Sequence, residues 1–508
     1  MKFLILAENS NGPYPHMHYR PLGPMEVRRR IHEKGHDATI IDWFTRWAEE
    51  DLKQAITVYQ PDVIALSTTF EINDTMKQRK VLTWAKETYP NLKIIIGGIR
   101  EVEGHEISDG LIDECFLGRS MKMFDLWLDN GDMSPYIVGT NPMVYLNMEF
   151  DEIADKPIVP AFTDDDFYTE HDILGFELGV GCKFNCSFCN YEMRNAKITN
   201  LNQADKLHEF FKEANERWGI THFYAVDDTM NESEEKLQIL ADSFEGLDFH
   251  PQVSGFLRLD LVSGSIAKSE KTGSINNQLE LLKRIQFQSV FFGIETFHPE
   301  ASKFIRKKSH PGKPFETLAK LKEVCPDMYT VGGIIVGLVG DSKESILEST
   351  NRVIDEGLIN SLRCWPLAIN RPNKAVPYSE HFTSDIENNP TEFGYNMIKS
   401  SNPKNPKFMM QIEEGPQEWQ SDWTTFSEAE KLTAELRILL TDKTDLLMQT
   451  EYSSMVALGT YKKCTSIADN SALGHRTKLK ADMLKQSYMD KKIKFLNNSL
   501  IVHNNPPI

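Results

Sequence analysis

The chain has 508 residues, enough for roughly two or three domains, and an ordinary globular composition of 40% hydrophobic and 26% charged residues. Its 56 Lys and Arg against 74 Asp and Glu give a net charge of −18, which argues against a nucleic-acid backbone or an anionic membrane as the main partner. No apolar run reaches the ~18 residues of a membrane-spanning helix, and the N-terminal run turns polar too early for a signal peptide. The 7 cysteines form no dense, even set, so a cytoplasmic location is expected.

Residues 1–130 alternate short apolar runs with helical segments. The predicted strands are Lys2–Ala7, Thr39–Asp42, Asp62–Ser67, Lys93–Ile96 and Glu114–Leu117. The predicted helices are Pro24–Glu33, Ala48–Val58, Asn73–Thr88 and Lys122–Leu128. Continuous Val, Ile and Leu runs predict a parallel sheet covered on both faces, with a flavodoxin-like (Rossmann-like) topology. Ligands of such sheets bind at the carboxyl ends of the strands.

For residues 131–170 we predict an irregular linker, because the segment contains Gly, Pro and the acidic run Asp164–Asp166. From 171 to 370 a second strand–helix alternation predicts a partial, TIM-like (β/α)6 barrel. Its strands are Gly175–Gly179, Thr221–Val226, Gln252–Arg258, Ser289–Ile294, Tyr329–Val336 and Ser361–Pro366. Barrel sites lie at the C-terminal ends of the strands, so the loop after the first strand is a candidate site.

That loop carries the cysteine triplet Cys182, Cys186 and Cys189. Thiolates are soft ligands that suit an iron–sulfur cluster, and three of them leave one iron of a [4Fe–4S] cluster open to a small molecule. A structural zinc site usually needs four ligands, often as two pairs, and a disulfide framework needs a denser, even set. The other cysteines stand alone, at Cys115, Cys325, Cys364 and Cys464. The triplet therefore favours the cluster.

Residues 371–508 predict an irregular segment rich in Pro and Asn, followed by a helical region that covers or packs against the barrel. Ser427–Glu430 reads as a capping box. Leucines follow at helical spacing, at Leu432, Leu436, Leu439 and Leu440. A further helix is expected between Lys478 and Leu496.

The cysteine loop resembles the radical S-adenosylmethionine (SAM) signature, C-x3-C-x2-C with an aromatic residue, here Phe188, before the last cysteine. Further segments follow in the order of that family. They contain Asp227 and Asp228 after the second strand, Arg258 ending the third, Glu295 ending the fourth and Gly337 after the fifth.

The resemblance implies a role for each of these residues in binding SAM. Backbone near Asp227 and Asp228 would hold the SAM amino group, and Arg258 would pair with the carboxylate. Glu295 would accept hydrogen bonds from the ribose, and the adenine would lie against backbone near Gly337. Two alternatives stay open: N-capping of the next helix by the aspartates, and a surface salt bridge for Arg258.

Residues 1–130 resemble the cobalamin-binding domain that precedes the radical SAM domain in one large class of these enzymes. The matching segments are Pro21–Pro24, Glu33–Asp37, Asp62–Thr69 and Ile95–Gly98. The resemblance implies that cobalamin is held by residues at the strand ends, namely Ser67, Thr68, Gly97 and Gly98. The family's D-x-H-x-x-G pattern is absent, since His16, His18 and His105 do not fit it, and Gly118–Met121 departs from the family's Gly-Glu-Gly-Glu. A domain that shapes the pocket without holding cobalamin stays an alternative.

By this resemblance the chain is a radical SAM enzyme that cleaves SAM to a 5′-deoxyadenosyl radical and, with cobalamin, methylates an unactivated carbon of a small-molecule or natural-product-like substrate. Its electron donor would be a flavodoxin or ferredoxin, with no nucleic-acid or membrane partner. Alternatives are a rearrangement or cyclisation without methyl transfer or without cobalamin, and a non-catalytic metal-binding module. A methylthiotransferase is disfavoured, because the first domain holds only Cys115 and the chain is acidic.

Overall fold

A computed structural model describes most of the chain. The described residues are 1–8, 19–68, 78–99, 110–117, 121–140, 143–146, 157–191, 200–273, 277–307, 313–372, 383–398, 406–409, 412–414, 416–463 and 467–504. Backbone contacts divide the chain into two compact units. Unit 1 comprises Met1–Phe176, Glu213–Ile220 and Arg476–Ile508, and unit 2 comprises Glu177–Lys212 and Thr221–His475.

Unit 1 is built around an α/β sheet. Its strands are β1 (Lys2–Glu8), β2 (Tyr19–Arg20), β3 (Asp37–Asp42), β4 (Val63–Thr68), β5 (Lys93–Ile99), β6 (Glu114–Leu117), β7 (Ile137–Thr140), β8 (Met143–Leu146) and β9 (Ile173–Phe176). Its helices are α1 (Leu22–Glu33), α2 (Glu49–Tyr59), α3 (Arg79–Thr88) and α4 (Met121–Leu128). The sheet order is β3-β1-β4-β5-β6-β8-β7, with β2 paired to β9 outside it. The first five strands of this order run parallel in the flavodoxin-like arrangement, which confirms the predicted topology.

Strands β7 and β8 lie within the segment 131–170, for which the sequence predicts an irregular linker. Strand β8 runs parallel to β6, and β7 returns antiparallel to β8, so both extend the sheet. Each has only four residues, too few to show a period. The acidic run is also more than a solvated linker, because Asp165 and Asp166 are buried.

Within its described residues, unit 2 contains five parallel strands separated by helices. The strands are β10 (His222–Ala225), β11 (Gln252–Arg258), β12 (Ser289–Glu295), β13 (Tyr329–Val336) and β14 (Ser361–Pro366). The chain adds α5 (Ala204–Trp218), α6 (Glu234–Asp242), α7 (Leu259–Thr272), α8 (Asn277–Ile285), α9 (Pro299–Phe304), α10 (Lys313–Val324) and α11 (Lys343–Asp355). The strands are adjacent in chain order, as in a partial β/α barrel. Three of them match the predicted bounds, and the α/β fold class is confirmed.

The predicted first barrel strand, Gly175–Gly179, differs from the observed one. Strand β9 ends at Phe176, and the N–H groups of Leu178 and Gly179 donate to the Asp227 carboxylate. A side chain thus takes hydrogen bonds that a longer strand would have given to a neighbouring strand.

In the described part of the C-terminal region, the remaining elements are short strands and three longer helices. They are β15 (Arg371–Pro372), α12 (Asp385–Asn388), β16 (Asn396–Met397), β17 (Pro406–Met409), β18 (Ile412–Glu414), β19 (Trp419–Gln420), α13 (Phe426–Leu440), α14 (Gln449–Ala457) and α15 (Ile467–Asn504). The capping box of α13 is formed by Thr425 and Glu428, two residues before the predicted one. In the described part of the chain, no helix is long and apolar enough to cross a membrane.

Helix α15 is longer than predicted and is shared between the units. Its Leu473 packs in a barrel core cluster with Tyr329 and Val331, as expected of a helical region that packs on the barrel. From Arg476 onward, however, the helix belongs to unit 1. There Lys492 pairs with Asp165 at 2.6 Å.

Candidate metal centre

The three cysteines lie on one loop of unit 2, and each sulfur faces a hydrogen-bond donor. Cys182 Sγ is 3.8 Å from the Thr229 hydroxyl, and Cys189 Sγ accepts from the Tyr191 N–H at 3.4 Å. Cys186 Sγ accepts from Arg258 Nη1 at 3.1 Å. Hydrogen bonds to sulfur stabilise thiolates and are a normal feature of iron–sulfur sites. The donor set therefore fits the predicted cluster.

Burial favours the protonated form of two of these thiols, Cys182 and Cys189. It raises the pKa of Cys182 above its usual value and raises the pKa of Cys189 to about 11. The nearby Asp228 carboxylate adds to both shifts. Binding of a metal cluster must therefore displace protons from these sulfurs. Among the described residues, no three His, Cys, Asp or Glu side chains form a group that could hold a single metal ion.

Backbone contacts fix the middle of the loop. The Ser187 N–H donates to the Ile305 carbonyl at 3.4 Å, and the Ser187 carbonyl accepts from the Ile386 N–H at 3.0 Å. Within the loop, the Cys189 N–H donates to the Cys186 carbonyl at 3.1 Å. The turn that carries the second and third cysteines is thus held by two segments distant in sequence.

Asp227 anchors the start of the loop. Its buried carboxylate accepts from the N–H groups of Leu178 and Gly179, both at 2.8 Å, and pairs with Lys236 Nζ at 2.6 Å. Lys236 also pairs with Glu232 at 2.7 Å, and all three side chains are buried. Burial opposes the charge on Lys236, but the two carboxylates outweigh it and raise the Lys236 pKa. Neither Lys236 nor Glu232 could be predicted from the sequence, because a buried ion network has no sequence period.

The capping alternative for the two aspartates is wrong. Helix α6 begins at Glu234 and is capped by the Ser233 hydroxyl, which accepts from the Lys236 N–H. Asp228 is exposed, and its charge acts on the Cys182 and Cys189 thiols. The two aspartates therefore differ in position. Asp227 is buried and accepts hydrogen bonds from the start of the loop, whereas Asp228 is exposed and lies near the sulfurs.

Arg258 is buried, so the alternative of a surface salt bridge is wrong. Its guanidinium donates to Asp260 through Nε at 3.0 Å and Nη2 at 2.8 Å, and to Cys186 through Nη1. It also lies over the Phe184 ring, 3.9 Å from the centroid. Arg258 thus contacts a predicted metal ligand, and binding of a SAM carboxylate by it stays a prediction.

Glu295 sits at an irregular point where β12 ends. Its φ of 66° is left-handed, and the pairing of β12 with β13 shifts register between Gly293 and Glu295. Lys307 Nζ holds the carboxylate at 3.0 Å and donates to the Gly293 carbonyl at 2.7 Å. The same ammonium lies 6.0 Å from the centroid of the Phe188 ring. Lys307, which the sequence did not single out, therefore links the glutamate to the cysteine loop.

Gly337 follows β13 and faces an aromatic ring. Its φ is 105°, and an added Cβ would lie 2.4 Å from Trp419. Its carbonyl accepts from the Tyr395 hydroxyl at 3.2 Å. The protein's own packing therefore requires glycine here, and contact with an adenine stays a prediction.

The predicted cobalamin residues lie at neighbouring strand ends of unit 1. Ser67 in β4 is the register partner of Gly97 in β5, and Thr68 is the last residue of β4. The pairing of β5 with β6 shifts register between Gly97 and Ile99, so Gly98 stands at an irregularity. An added Cβ at Gly97 would make only ordinary contact with Phe116, at 3.8 Å. Thr69, His16, His18, His105 and residues 118–120 lie outside the described residues.

Comparison with known proteins finds a match for the part of the chain that contains the cysteine loop. Residues 176–353 match the family model of the radical SAM superfamily. The whole chain is similar in fold to the radical SAM methyltransferase TsrM from Kitasatospora setae, solved with a tryptophan substrate and a SAM analogue. The TM-score is 0.59 at 11% identity, covering 96% of this chain and 99% of that one.

A second solved structure is also similar in fold. It is OxsB, a cobalamin-dependent SAM radical enzyme solved with aqua-cobalamin bound, with a TM-score of 0.58 at 11% identity. The match covers 98% of this chain and 80% of that one. No match was found among curated protein sequences. At such identities the two structures show a shared fold.

Proposed function

We propose that the chain is a radical SAM enzyme whose cluster is held by Cys182, Cys186 and Cys189, because residues 176–353 match the radical SAM family model. The observation that carries this proposal is the cysteine loop itself. Its three thiols lie within the matched domain, and each faces a hydrogen-bond donor. Three ligands suit a [4Fe–4S] cluster with one open iron.

When bound, such a cluster supplies the electron for cleaving SAM to methionine and a 5′-deoxyadenosyl radical. The protein's part is to hold and orient the reactants and to exclude water. Asp227 and Lys236 fix the start of the loop. Arg258 donates a charge-assisted hydrogen bond to Cys186.

For SAM we propose the ends of the neighbouring strands β10 to β13. Asp228 lies near the sulfurs, and backbone beside it and Asp227 would hold the amino group. The Glu295 carboxylate, oriented by Lys307, would accept from the ribose hydroxyls. The backbone turn at Gly337 would face the adenine.

For cobalamin we propose the strand ends of unit 1. Support comes from the whole-length fold likeness to TsrM and OxsB. Gly97 adds support, because neither its φ nor the packing of the protein requires a glycine at this position. The missing side chain leaves room for a ligand to approach the backbone closely. Ser67, Thr68 and Gly98 complete the proposed contact set. The reaction would be methylation of an unactivated carbon in a small molecule, with electrons from a flavodoxin or ferredoxin.

The test is anaerobic incubation of the reconstituted full-length chain with reductant, hydroxocobalamin, CD3-labelled SAM and a metabolite extract. Wild type should form 5′-deoxyadenosine and transfer the label to a small-molecule product. Cys189→Ala should lose both, because the cluster loses a ligand. Cys364→Ala is the matched control, since Cys364 is a buried thiol of β14 outside the loop.

Each outcome has a definite meaning. Deoxyadenosine without label transfer would contradict methylation and favour the rearrangement alternative. If wild type holds iron but cleaves no SAM, the radical SAM proposal is contradicted.

A further inference from the structure

The cysteine loop is in contact with a buried cation, Arg258, for which the family resemblance implies a different partner, the SAM carboxylate. Arg258 Nη1 lies 3.1 Å from Cys186 Sγ, and only 7% of Arg258 is exposed. The guanidinium is covered on one face by the Phe184 ring at 3.9 Å. A charge in such a dry site is little screened by salt.

The guanidinium fork is already occupied. Asp260 accepts from Nε at 3.0 Å and from Nη2 at 2.8 Å, which is the two-bond geometry a free carboxylate would seek. A SAM carboxylate would have to displace or share this partner. The third direction of the fork is the one that points at the sulfur.

The backbone of Arg258 is fixed as firmly as its side chain. Its N–H donates to Asn231 Oδ1 at 2.8 Å, and its carbonyl accepts from Asn231 Nδ2 at 2.9 Å. Asn231 is fully buried and exchanges two further hydrogen bonds with Gln278, both at 3.2 Å. Arg258 is therefore held in place before any cofactor arrives.

We propose that Arg258 is a positioning residue that acts on the cluster through Cys186 and raises its reduction potential. This inference rests on the proposed function. Reduction adds one negative charge to a cluster, and a cation hydrogen-bonded to a ligand sulfur stabilises that form. The Asp260 carboxylate opposes the effect, because it offsets part of the charge on Arg258.

The test is a redox titration of the reconstituted full-length chain without SAM, followed by the EPR signal of the reduced cluster. Arg258→Gln should lower the ratio of reduced to oxidised cluster about tenfold at the wild-type midpoint, a shift of about 59 mV for one electron. Asp260→Asn should shift the midpoint in the opposite direction, since it removes a negative charge and keeps the arginine.

Arg306→Gln is the matched charge control. Arg306 also lies near the loop, where it donates to the Asn185 carbonyl, but its side chain is 42% exposed and it does not bond the sulfur. Its loss should change the ratio less than about twofold, because solvent screens an exposed charge. An equal shift in Arg306→Gln and Arg258→Gln would overturn the proposal.

Two measurements separate the possible failures. Wild type without iron or an EPR signal would refute the proposed function and, with it, this inference. Wild type with a cluster, but unchanged midpoints in Arg258→Gln and Asp260→Asn, would refute the inference alone. Weaker SAM binding by Arg258→Gln with an unchanged midpoint would assign the arginine to the SAM carboxylate instead. If Arg258→Gln assembles no cluster, the direction of the Asp260→Asn shift decides.

Discussion

At the scale of single residues, the cysteine loop depends on charges buried beneath it. Lys236 is fully buried between Asp227 and Glu232, and Asp227 in turn holds two N–H groups of the chain that leads into the loop. Removing one member of a buried ion network leaves uncompensated charge, which costs far more than losing a surface pair.

Lys236→Met should therefore lower the free energy of unfolding by about 3–5 kcal/mol and reduce the iron bound after reconstitution. Lys320→Met is the control, because its ion pair with Glu323 is exposed. It should cost less than about 1 kcal/mol and leave the iron content unchanged. Thermal or denaturant unfolding measures the change in stability, and iron analysis measures the metal bound after reconstitution. Equal losses in the two variants would show that the buried network does not brace the loop.

A second residue-scale prediction concerns the glycine after β13. Gly337→Ala places a Cβ 2.4 Å from Trp419 in a backbone conformation that disfavours side chains, and should cost about 1–3 kcal/mol. Gly264→Ala, in the interior of α7 with nothing near its added Cβ, should instead stabilise the protein by about 0.5–1 kcal/mol. Changes of the same sign in unfolding experiments would contradict the packing described here.

At the scale of elements, the sequence predicts those strands whose apolar runs are long or sharply bounded. The observed bounds of β6, β11, β13 and β14 coincide with the predicted ones. Helix α14 was not predicted, because its buried positions are largely polar, including Gln449, Glu451 and Ser454. The hydrophobic pattern of this segment therefore gives no indication of a helix.

The candidate site shows the same division. The cysteine spacing is local and could be predicted. The partners of the site residues could not be predicted. Lys236 and Lys307 reach the site only through contacts made in the folded chain. The contact with Asp260 depends on the direction of the Arg258 guanidinium, which the sequence does not indicate. The linker was mispredicted for a similar reason: nothing local indicates that Asp165 pairs with Lys492, 327 residues away.

Helix α15 should stabilise unit 1 through that pair. Burial opposes ionisation of Asp165, but Lys492 and the hydroxyls of Thr163 and Thr39 outweigh it and hold the Asp165 pKa well below its usual range. Lys492→Met should cost about 3–5 kcal/mol at neutral pH, because it removes one partner of a buried ion pair. Lys494→Met, an exposed position on the same helix, should change little.

The pH dependence of this effect has a definite sign. A carboxyl whose folded pKa is depressed contributes stability above its unfolded pKa, about 3.9, and loses it as the pH falls through the folded pKa. The difference in unfolding free energy between wild type and Lys492→Met should thus be largest near neutral pH and shrink below about pH 4. A difference that grows on acidification would contradict the pairing.

At the scale of the whole molecule, the chain joins a flavodoxin-like unit to a unit with barrel-type strand order, and the fold resembles those of TsrM and OxsB along its whole length. At 11% sequence identity, these similarities show a shared fold and do not identify the substrate. The radical SAM proposal rests instead on the match of residues 176–353 to that family model and on the cysteines within it. The cobalamin proposal rests on the strand ends of unit 1.

The most direct test of the central claim is metal analysis after anaerobic reconstitution with iron, sulfide and hydroxocobalamin, comparing wild type with Cys182→Ala and Cys364→Ala. We expect close to four irons in wild type and Cys364→Ala, a marked loss in Cys182→Ala, and about one cobalt in all three. Iron without cobalt would contradict the cobalamin proposal and leave the radical SAM proposal standing. Zinc in place of iron, or iron that does not depend on Cys182, would contradict it.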